Sequence, residues 1–473
     1  AYLVIVRDFP EDPVNYKDLL QQTSKIPVLH VAEKIALKPD HIFLIPSDQH
    51  VVVGADFIAT SPSLHLEERR APIDIFFRNL ADQYGPRVIS IILSGNGANG
   101  SMGLKRIKER GGATYVQNPR EAQFNQMPRS AIATNLVDDV LNASDIPGHI
   151  IAYRDSIRTV EIVMDVEDQS ELQQQRMREV FTQIRARTGH DFSNYKRPTL
   201  LRRIERRINV HNLPDLSSYV AFLHENPDET LALLKDLLIS VTNFFRDNQA
   251  FNALEQDIIP ALFAGKTSAD EVRIWVAGCA TGEEAYSIAM LCMEQLNRMP
   301  EPPKLQIFAT DIDESAIATA REGCYTINDA ADVSAERLNR FFTPDGEKYR
   351  VRKEIRESIL FANHNFLKDP PFSRLDLVTC RNVLIYLNST AQARVIKTFH
   401  FALKLKKYLF LGTSESVDVA NEMYTIHSRE HHIFQTKKVS ARDYPLPDSL
   451  PQLKFTYPNT NLQGASKEIS AQR

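Results

Sequence analysis

Apolar and polar positions follow two rhythms along this chain. In the first 145 residues, short apolar runs at 3–6, 41–45, 51–53, 88–93 and 113–116 predict strands. Helical spacing over 72–83, 103–110 and 128–133 separates them. Such alternation predicts an α/β domain with a parallel sheet over 1–145. Its first strand starts almost at Ala1, which predicts further sequence upstream. Over 146–172 the character changes: Asp165, Glu167, Asp168, Gln169 and Glu171 lead into a glutamine run, predicting a charged helical linker. Over 173–248, Phe181, Ile184, Leu200, Leu201, Ile204, Ile208, Tyr219 and Phe222 recur at helical spacing, predicting an all-helical domain. Over 249–440 the α/β rhythm returns, with strands expected at 273–277, 306–310, 359–362, 375–379, 408–411 and 432–435. The last stretch, 441–473, is rich in Pro, Ser, Asn and Gln and predicts a disordered tail.

Composition narrows the function classes. A chain of 473 residues is too long for one ordinary core, so several domains are expected. A net charge of -4 gives no global reason for nucleic-acid or membrane affinity. Cys279, Cys292, Cys324 and Cys380 lie far apart, without a Cys-x-x-Cys pair or histidine cluster. Neither a disulfide framework nor a metal site is expected, and a cytoplasmic location fits. No apolar run reaches the roughly 18 residues of a membrane span, so no membrane insertion is expected.

The most informative segment is Ala277-Gly-Cys-Ala-Thr-Gly-Glu-Glu284, which follows the strand at 273–277 and opens a helix. Gly278 and Gly282 allow the turn that lets backbone approach a nucleotide-like ligand. Glu283 and Glu284 stand where a dinucleotide site would hold its pyrophosphate. Two carboxylates repel phosphate and suit a cationic ligand. S-adenosylmethionine carries a sulfonium and an ammonium and no phosphate. The next predicted strand ends Ala309-Thr-Asp-Ile-Asp313. An acid there can accept hydrogen bonds from a ribose diol, with Asp311 the first choice and Asp313 the second.

These two segments, with Val241-Thr-Asn-Phe-Phe-Arg246 before them and Cys380-Arg-Asn-Val-Leu-Ile-Tyr386 after, resemble the ordered motifs of the CheR chemotaxis-receptor methyltransferases over about 173–438. The resemblance implies a helical N-terminal domain, a Rossmann-like α/β methyltransferase domain and a small β-subdomain inserted at about 323–357. It places cofactor contacts on Ser240, Thr242, Arg246, Gly278, Glu283, Asp311, Asn365, Phe366, Arg381 and Asn382. Ser240 and Phe366 replace the Asn and Leu of relatives, and Leu405-Lys406-Lys407 stands where relatives turn with Pro-Gly-Gly. The implied reaction is methylation of a glutamate carboxylate. That group is ionised at neutral pH, with a pKa of roughly 4.3, and needs no general base. The resemblance gives alignment to Arg246, holding the acceptor carboxylate, and to Tyr386, orienting acceptor or methyl group.

A second clue is the run Lys196-Arg-Pro-Thr-Leu-Leu-Arg-Arg-Ile-Glu-Arg-Arg207. Leu200, Leu201, Ile204 and Ile208 share one helix face, and Arg202, Arg203, Arg206 and Arg207 point elsewhere. They are read as an electrostatic dock for an acidic helical substrate, against a plain solvated face or RNA contact.

The first domain carries Leu93-Ser-Gly-Asn-Gly-Ala-Asn-Gly-Ser-Met-Gly103 and Met127-Pro-Arg-Ser-Ala-Ile-Ala133. Over about 1–140 it resembles the CheB receptor methylesterases. A Ser–His–Asp triad needs all three roles. Here Asn99 replaces the aspartate, Asp8 after Arg7 stands where relatives have histidine, and the serine segment is expected upstream of Ala1. The whole reads as a degenerate esterase-like lobe ahead of an active glutamate O-methyltransferase, acting on receptor or signalling proteins, with possible further signalling domains beyond the tail. Two rivals remain: a non-catalytic sensor of adenosylmethionine or adenosylhomocysteine, and a methyltransferase for a small molecule or RNA.

Overall fold

The computed structural model describes residues 1–6, 16–46, 49–62, 71–134, 136–159, 170–238, 242–326, 329–346 and 348–439. Seven strands form its largest sheet, in the order Ile359–Asn363, Lys304–Asp311, Glu271–Ala277, Leu375–Cys380, Leu403–Leu411, Ile433–Thr436 and Tyr424–Ser428. The first five are parallel and the last two pair antiparallel. Parallel strands covered on both faces are mainly apolar, and all of Leu375–Cys380 is buried, with its Asp376 paired to Lys266 and Lys404. Trp275 is wholly buried, and its indole N–H donates to Thr310 Oγ1 at 2.9 Å. Strand order reverses between Glu271–Ala277 and Leu375–Cys380. Their C-terminal ends therefore open on the crevice where ligands of such sheets bind.

After the helix Glu314–Glu322, a three-stranded antiparallel sheet joins Cys324–Thr326, Lys348–Val351 and Phe342–Asp345. Residues 405–407 lie inside the strand Leu403–Leu411. Lys406 takes a left-handed backbone, φ 59°, where a glycine would be unstrained.

The first lobe has two parallel three-stranded sheets. One holds Tyr2–Val6, Ile42–Pro46 and Val28–His30, the other Ile89–Ile92, Ala113–Gln117 and Asp139–Leu141. The stretch expected to be a charged helical linker is helical at its start and packs against both neighbours there. Ile146–Thr159 is a helix whose Tyr153 is buried with Tyr115 and Val210. Ser156 Oγ donates to Asn209 Oδ1 at 2.8 Å. Ile146, Ile150 and Tyr153, at helical spacing, make this segment a bracket between the lobe and the helical domain. Residues 160–169, the tail from 440, Asp8 and Ser240 lie outside the described residues.

Four helices, Glu171–Thr188, Arg197–Val210, Leu216–Glu225 and Pro227–Leu237, enclose a core of Val180, Ile184, Leu201, Ile204, Ile208, Tyr219 and Leu223. Ser170 and Asp215 cap two of them by accepting from Gln173 N and Ser218 N.

The arginine helix corrects the sequence reading. Arg202 is exposed, but Arg203, Arg206 and Arg207 are 7%, 2% and 5% exposed. Arg203 Nη1 donates to Lys108 O at 2.6 Å, and Arg206 Nε to Gly112 O at 2.9 Å. The Arg206 guanidinium bridges Asp138 of the first lobe and Asp236 of the helical domain. Lys108 Nζ lies 2.8 Å from Asp236 Oδ1. Arg207 donates to Glu229 at 2.8 and 2.5 Å, and Tyr219 OH donates to Glu229 at 2.7 Å. The arginines hold the first lobe to the helical domain. They present no four-arginine surface to an acidic partner.

Candidate active site

The loop after Glu271–Ala277 turns on left-handed residues: Gly278 at φ 78°, Ala280 at φ 47° and Gly282 at φ 99°. A Cβ on Gly278 would meet Val383 Cγ2 at 2.5 Å. One on Gly282 would meet Ala320 Cβ at 2.9 Å. Both glycines are thus needed to pack this loop against its neighbours. Asp311, at the end of its strand, ties the loop down by accepting from Ala280 N at 2.8 Å and Asp313 N at 3.0 Å. Burial raises the Asp311 carboxyl, against the pull of those backbone donors. Tyr195 of the helical domain lies near enough to feel the Asp311 charge. Asp313 caps the helix Glu314–Glu322 through Ser315 N and Ala316 N.

Glu283 opens the helix Glu283–Leu296 and is 3% exposed. Both its carboxylate oxygens accept from the Thr281 hydroxyl, at 2.9 and 2.7 Å. Burial pushes it up to about 7, with the Lys105 charge of the first lobe opposing. Ser287 locks this helix start to the segment 242–247: its Oγ donates to Glu283 O at 2.7 Å and accepts from Phe245 N at 3.0 Å. Phe244 and Phe245 are buried and anchor that segment. Thr242 and Arg246 beside them are half-buried.

The loop 381–386 leaves the strand Leu375–Cys380. Glu415, 5% exposed, gathers four backbone donors around it: Asn382 N at 2.9 Å, Val383 N at 2.9 Å, Ile385 N at 3.3 Å and Gly412 N at 2.7 Å. Asn382 takes a left-handed backbone, φ 59°. The Arg381 side chain is wholly buried, stacked over Phe410 and Phe251. Its Nη2 donates to Asp247 Oδ2 at 2.7 Å and to Arg246 O at 3.0 Å. The Arg381 guanidinium therefore holds the Arg246 backbone in place and does not reach into open space. Asn365 Oδ1 is committed to its own turn, accepting from Leu367 N at 3.0 Å. Phe366 packs against the core beside Phe399.

Thr242, Arg246 and Glu283 line one cavity of about 300 Å³, together with Asn243, Asp247, Asp329 and Asp332. Its opposite wall is the first lobe: Ala71, Asp74, Arg78, Asp82, Met102, Lys105 and Arg106. Gly278, Asp311, Asn365, Phe366, Arg381 and Asn382 do not line it. Tyr386 lies at the seam, where its hydroxyl donates to Glu109 Oε1 of the first lobe at 3.3 Å. Burial and Glu109 push that hydroxyl up to about 12, against the pull of Arg203 and Arg246. The structure thus brings Arg246 and Tyr386 within electrostatic reach of each other, from segments 140 positions apart.

Sequence reasoning missed Glu415, Asp247, Tyr195 and the whole wall from the first lobe. Only Glu415 left a trace, an acid just after an apolar strand. The lining fits adenosylmethionine in kind. Six acids stand against four bases, and a buried carboxyl held near neutrality would ionise beside a cation. Thr242 and Glu283 would hold its polar and cationic groups. Among the described residues no His/Cys/Asp/Glu group suits a metal, and no helix is long and apolar enough to cross a membrane.

Family models match the chain in three consecutive stretches. They are the CheB methylesterase over 1–150, the all-alpha domain of the CheR methyltransferase over 175–238, and its SAM-binding domain over 240–433. An uncharacterised 104.1 kDa protein of Rhodobacter capsulatus is 38% identical over 93% of the chain, and the chain spans 48% of that protein. The chemotaxis protein methyltransferase of Salmonella typhimurium is 31% identical over 49% of the chain and 81% of its own length. That of Listeria monocytogenes is 30% identical over 50% and 88%. With its S-adenosylmethionine-binding domain preceded by a CheB methylesterase-type lobe, the chain belongs to the CheR methyltransferase family.

Proposed function

We propose that this chain transfers a methyl group from S-adenosylmethionine to glutamate carboxylates of chemotaxis-type receptors or related signalling proteins, forming methyl esters. The relatives described as chemotaxis protein methyltransferases support the class of acceptor. One observation carries the chemistry: Arg246 and Tyr386 converge on a seam where the Tyr386 hydroxyl already meets a glutamate carboxylate. Bound cofactor supplies a methyl group on a sulfonium, an activated leaving group. The protein's share is alignment and exclusion of water, which can be worth about 7–11 kcal/mol. Arg246 neutralises and orients the acceptor carboxylate through charge-assisted hydrogen bonds. Tyr386, protonated throughout the neutral range, donates to one carboxylate oxygen and leaves the other to react. Glu283 takes the cationic side, and Asp311 holds the loop that carries it.

Tyr386→Phe keeps the ring and removes the hydroxyl, so kcat falls by about tenfold or more while cofactor affinity holds. Arg246→Ala lowers both. An unchanged kcat in Tyr386→Phe removes the tyrosine from the mechanism. If wild type and variant both bind the cofactor and transfer nothing, the chain is a sensor.

The first lobe is read as a scaffold without esterase activity. Asn99 Oδ1 accepts from Ile73 N at 3.1 Å and Asp74 N at 3.2 Å, so this triad position caps a helix. Methanol release from a methylated receptor is the measure, and release above the buffer control overturns this.

A further inference from the structure

The Tyr386–Glu109 contact has a partner from an unexpected direction. Glu109 ends the helix Gly103–Glu109 of the first lobe, 277 positions from Tyr386 in sequence. Its Oε1 accepts from the Tyr386 hydroxyl, while its Oε2 accepts from Arg106 Nη1 at 2.5 Å. The Glu109 side chain is only 12% exposed. Buried Arg203 feels its charge and donates to the neighbouring Lys108 carbonyl at 2.6 Å, which fixes the end of that helix over the seam. The same helix puts Lys105 and Arg106 into the cavity wall facing Arg246 and Glu283.

A glutamate carboxylate presented on a helix and held by Tyr386, whose own hydroxyl feels the Arg246 charge, is the chemistry that the proposed substrate would bring. We infer that Glu109 occupies the place of the acceptor carboxylate, so that the first lobe is a tethered competitor of a glutamate on an acidic helical protein. This rests on the glutamate-methyltransferase reading. A tethered competitor raises the apparent KM for the acceptor and leaves kcat alone, because at saturation the acceptor displaces it. Since Arg106 keeps a second partner in Asp82, at 2.6 Å, removing Glu109 does not leave that arginine unpaired.

The test uses the full chain and a methylatable receptor cytoplasmic fragment, with initial rates against fragment concentration. Glu109→Ala is expected to lower the KM for the fragment by about tenfold or more, the value of one charge-assisted hydrogen bond. Glu109→Gln, close in size and uncharged, should show a smaller drop in the same direction. Both should keep the wild-type kcat and adenosylmethionine Kd. Should Glu109→Ala melt early, Glu109→Gln carries the test alone. An unchanged KM in the folded variants overturns the inference and leaves the methyltransferase reading intact. So does a changed cofactor Kd with no change in KM, which would make Glu109 part of the cofactor wall. Absence of transfer by every variant at saturating fragment overturns the underlying reading, and the inference with it.

Discussion

Two loops in this molecule follow a parallel strand and lead into a helix, and the buried acid that meets each, Asp74 from the helix Pro72–Tyr84 and Glu283 from the helix start itself, is used in an opposite way. After Ile89–Ile92, the loop ends at Gly103, whose N–H donates to Asp74 at 2.7 Å, while Asn99 collects the N–H groups of Ile73 and Asp74. After Glu271–Ala277, Asp311 secures the loop, while Glu283 is held by the Thr281 hydroxyl and its own backbone N–H. Both acids are raised by burial, Asp74 to about 6 and Glu283 to about 7. They face one cavity from opposite sides. Backbone donors turn the first acid into a joint of the fold. The second, held only within its own turn and facing the cavity, is suited to a cation. The difference lies in which partners the fold supplies, since the strand–loop–helix pattern is shared.

The largest expected effect concerns the joint. Arg206 is the cation between Asp138 and Asp236 at the lobe seam, so Arg206→Ala leaves two buried carboxylates short of their partner. Loss of about 3–5 kcal/mol in denaturant unfolding is expected. A loss below about 1 kcal/mol would mean that the seam is not an ion-pair joint.

Next comes the contrast between the two acids. Glu283→Gln should weaken adenosylmethionine binding by about 2–3 kcal/mol, and Asp74→Asn by less than about 0.5 kcal/mol. Calorimetry that finds equal losses erases the distinction. The pH dependence gives a second reading of the same acid. With its carboxyl raised to about 7, Glu283 is protonated below neutrality in the free protein and must ionise beside a cation. Cofactor affinity should therefore rise as pH increases from 6 to 7.5, with up to one proton released per cofactor, and Glu283→Gln should flatten that slope. The sign for stability is the reverse. A carboxyl raised on folding favours the folded state at low pH and loses that contribution as pH climbs from about 4.5 through 7.

The smallest effect is at Lys406. Its left-handed backbone costs about 1–2 kcal/mol for a side-chain-bearing residue. Lys406→Gly should raise stability by about 1 kcal/mol, offset in part by the greater freedom of glycine in the unfolded chain. A destabilised variant would show that the lysine side chain contributes more than its backbone costs.

The sequence made the α/β frame legible because apolar runs of parallel strands are long and unambiguous. The strand before Gly278 was expected at 273–277 and spans Glu271–Ala277. Short strands such as Val28–His30 and Asp139–Leu141 carry too few apolar positions to stand out. The glycine loop was legible as a loop, yet its glycines answer to Val383 and Ala320, neighbours that no local pattern announces. Arginines at helical spacing could not disclose their burial, because their partners Asp138 and Asp236 are 68 and 30 positions away. For the same reason Glu109, 277 positions from Tyr386, was invisible as part of the site. Local periodicity reports which face is apolar. It does not report what neutralises a buried charge.

The central claim, that the acceptor is a glutamate carboxylate, is tested most directly by the chemistry of the product. The full chain is incubated with methyl-labelled adenosylmethionine and a receptor cytoplasmic fragment, and the labelled protein is treated with mild base. A carboxyl methyl ester should release its label as methanol, and replacing the receptor's acceptor glutamates by alanine should abolish incorporation. Label that survives base would place the methyl group on nitrogen or another acceptor and contradict the account.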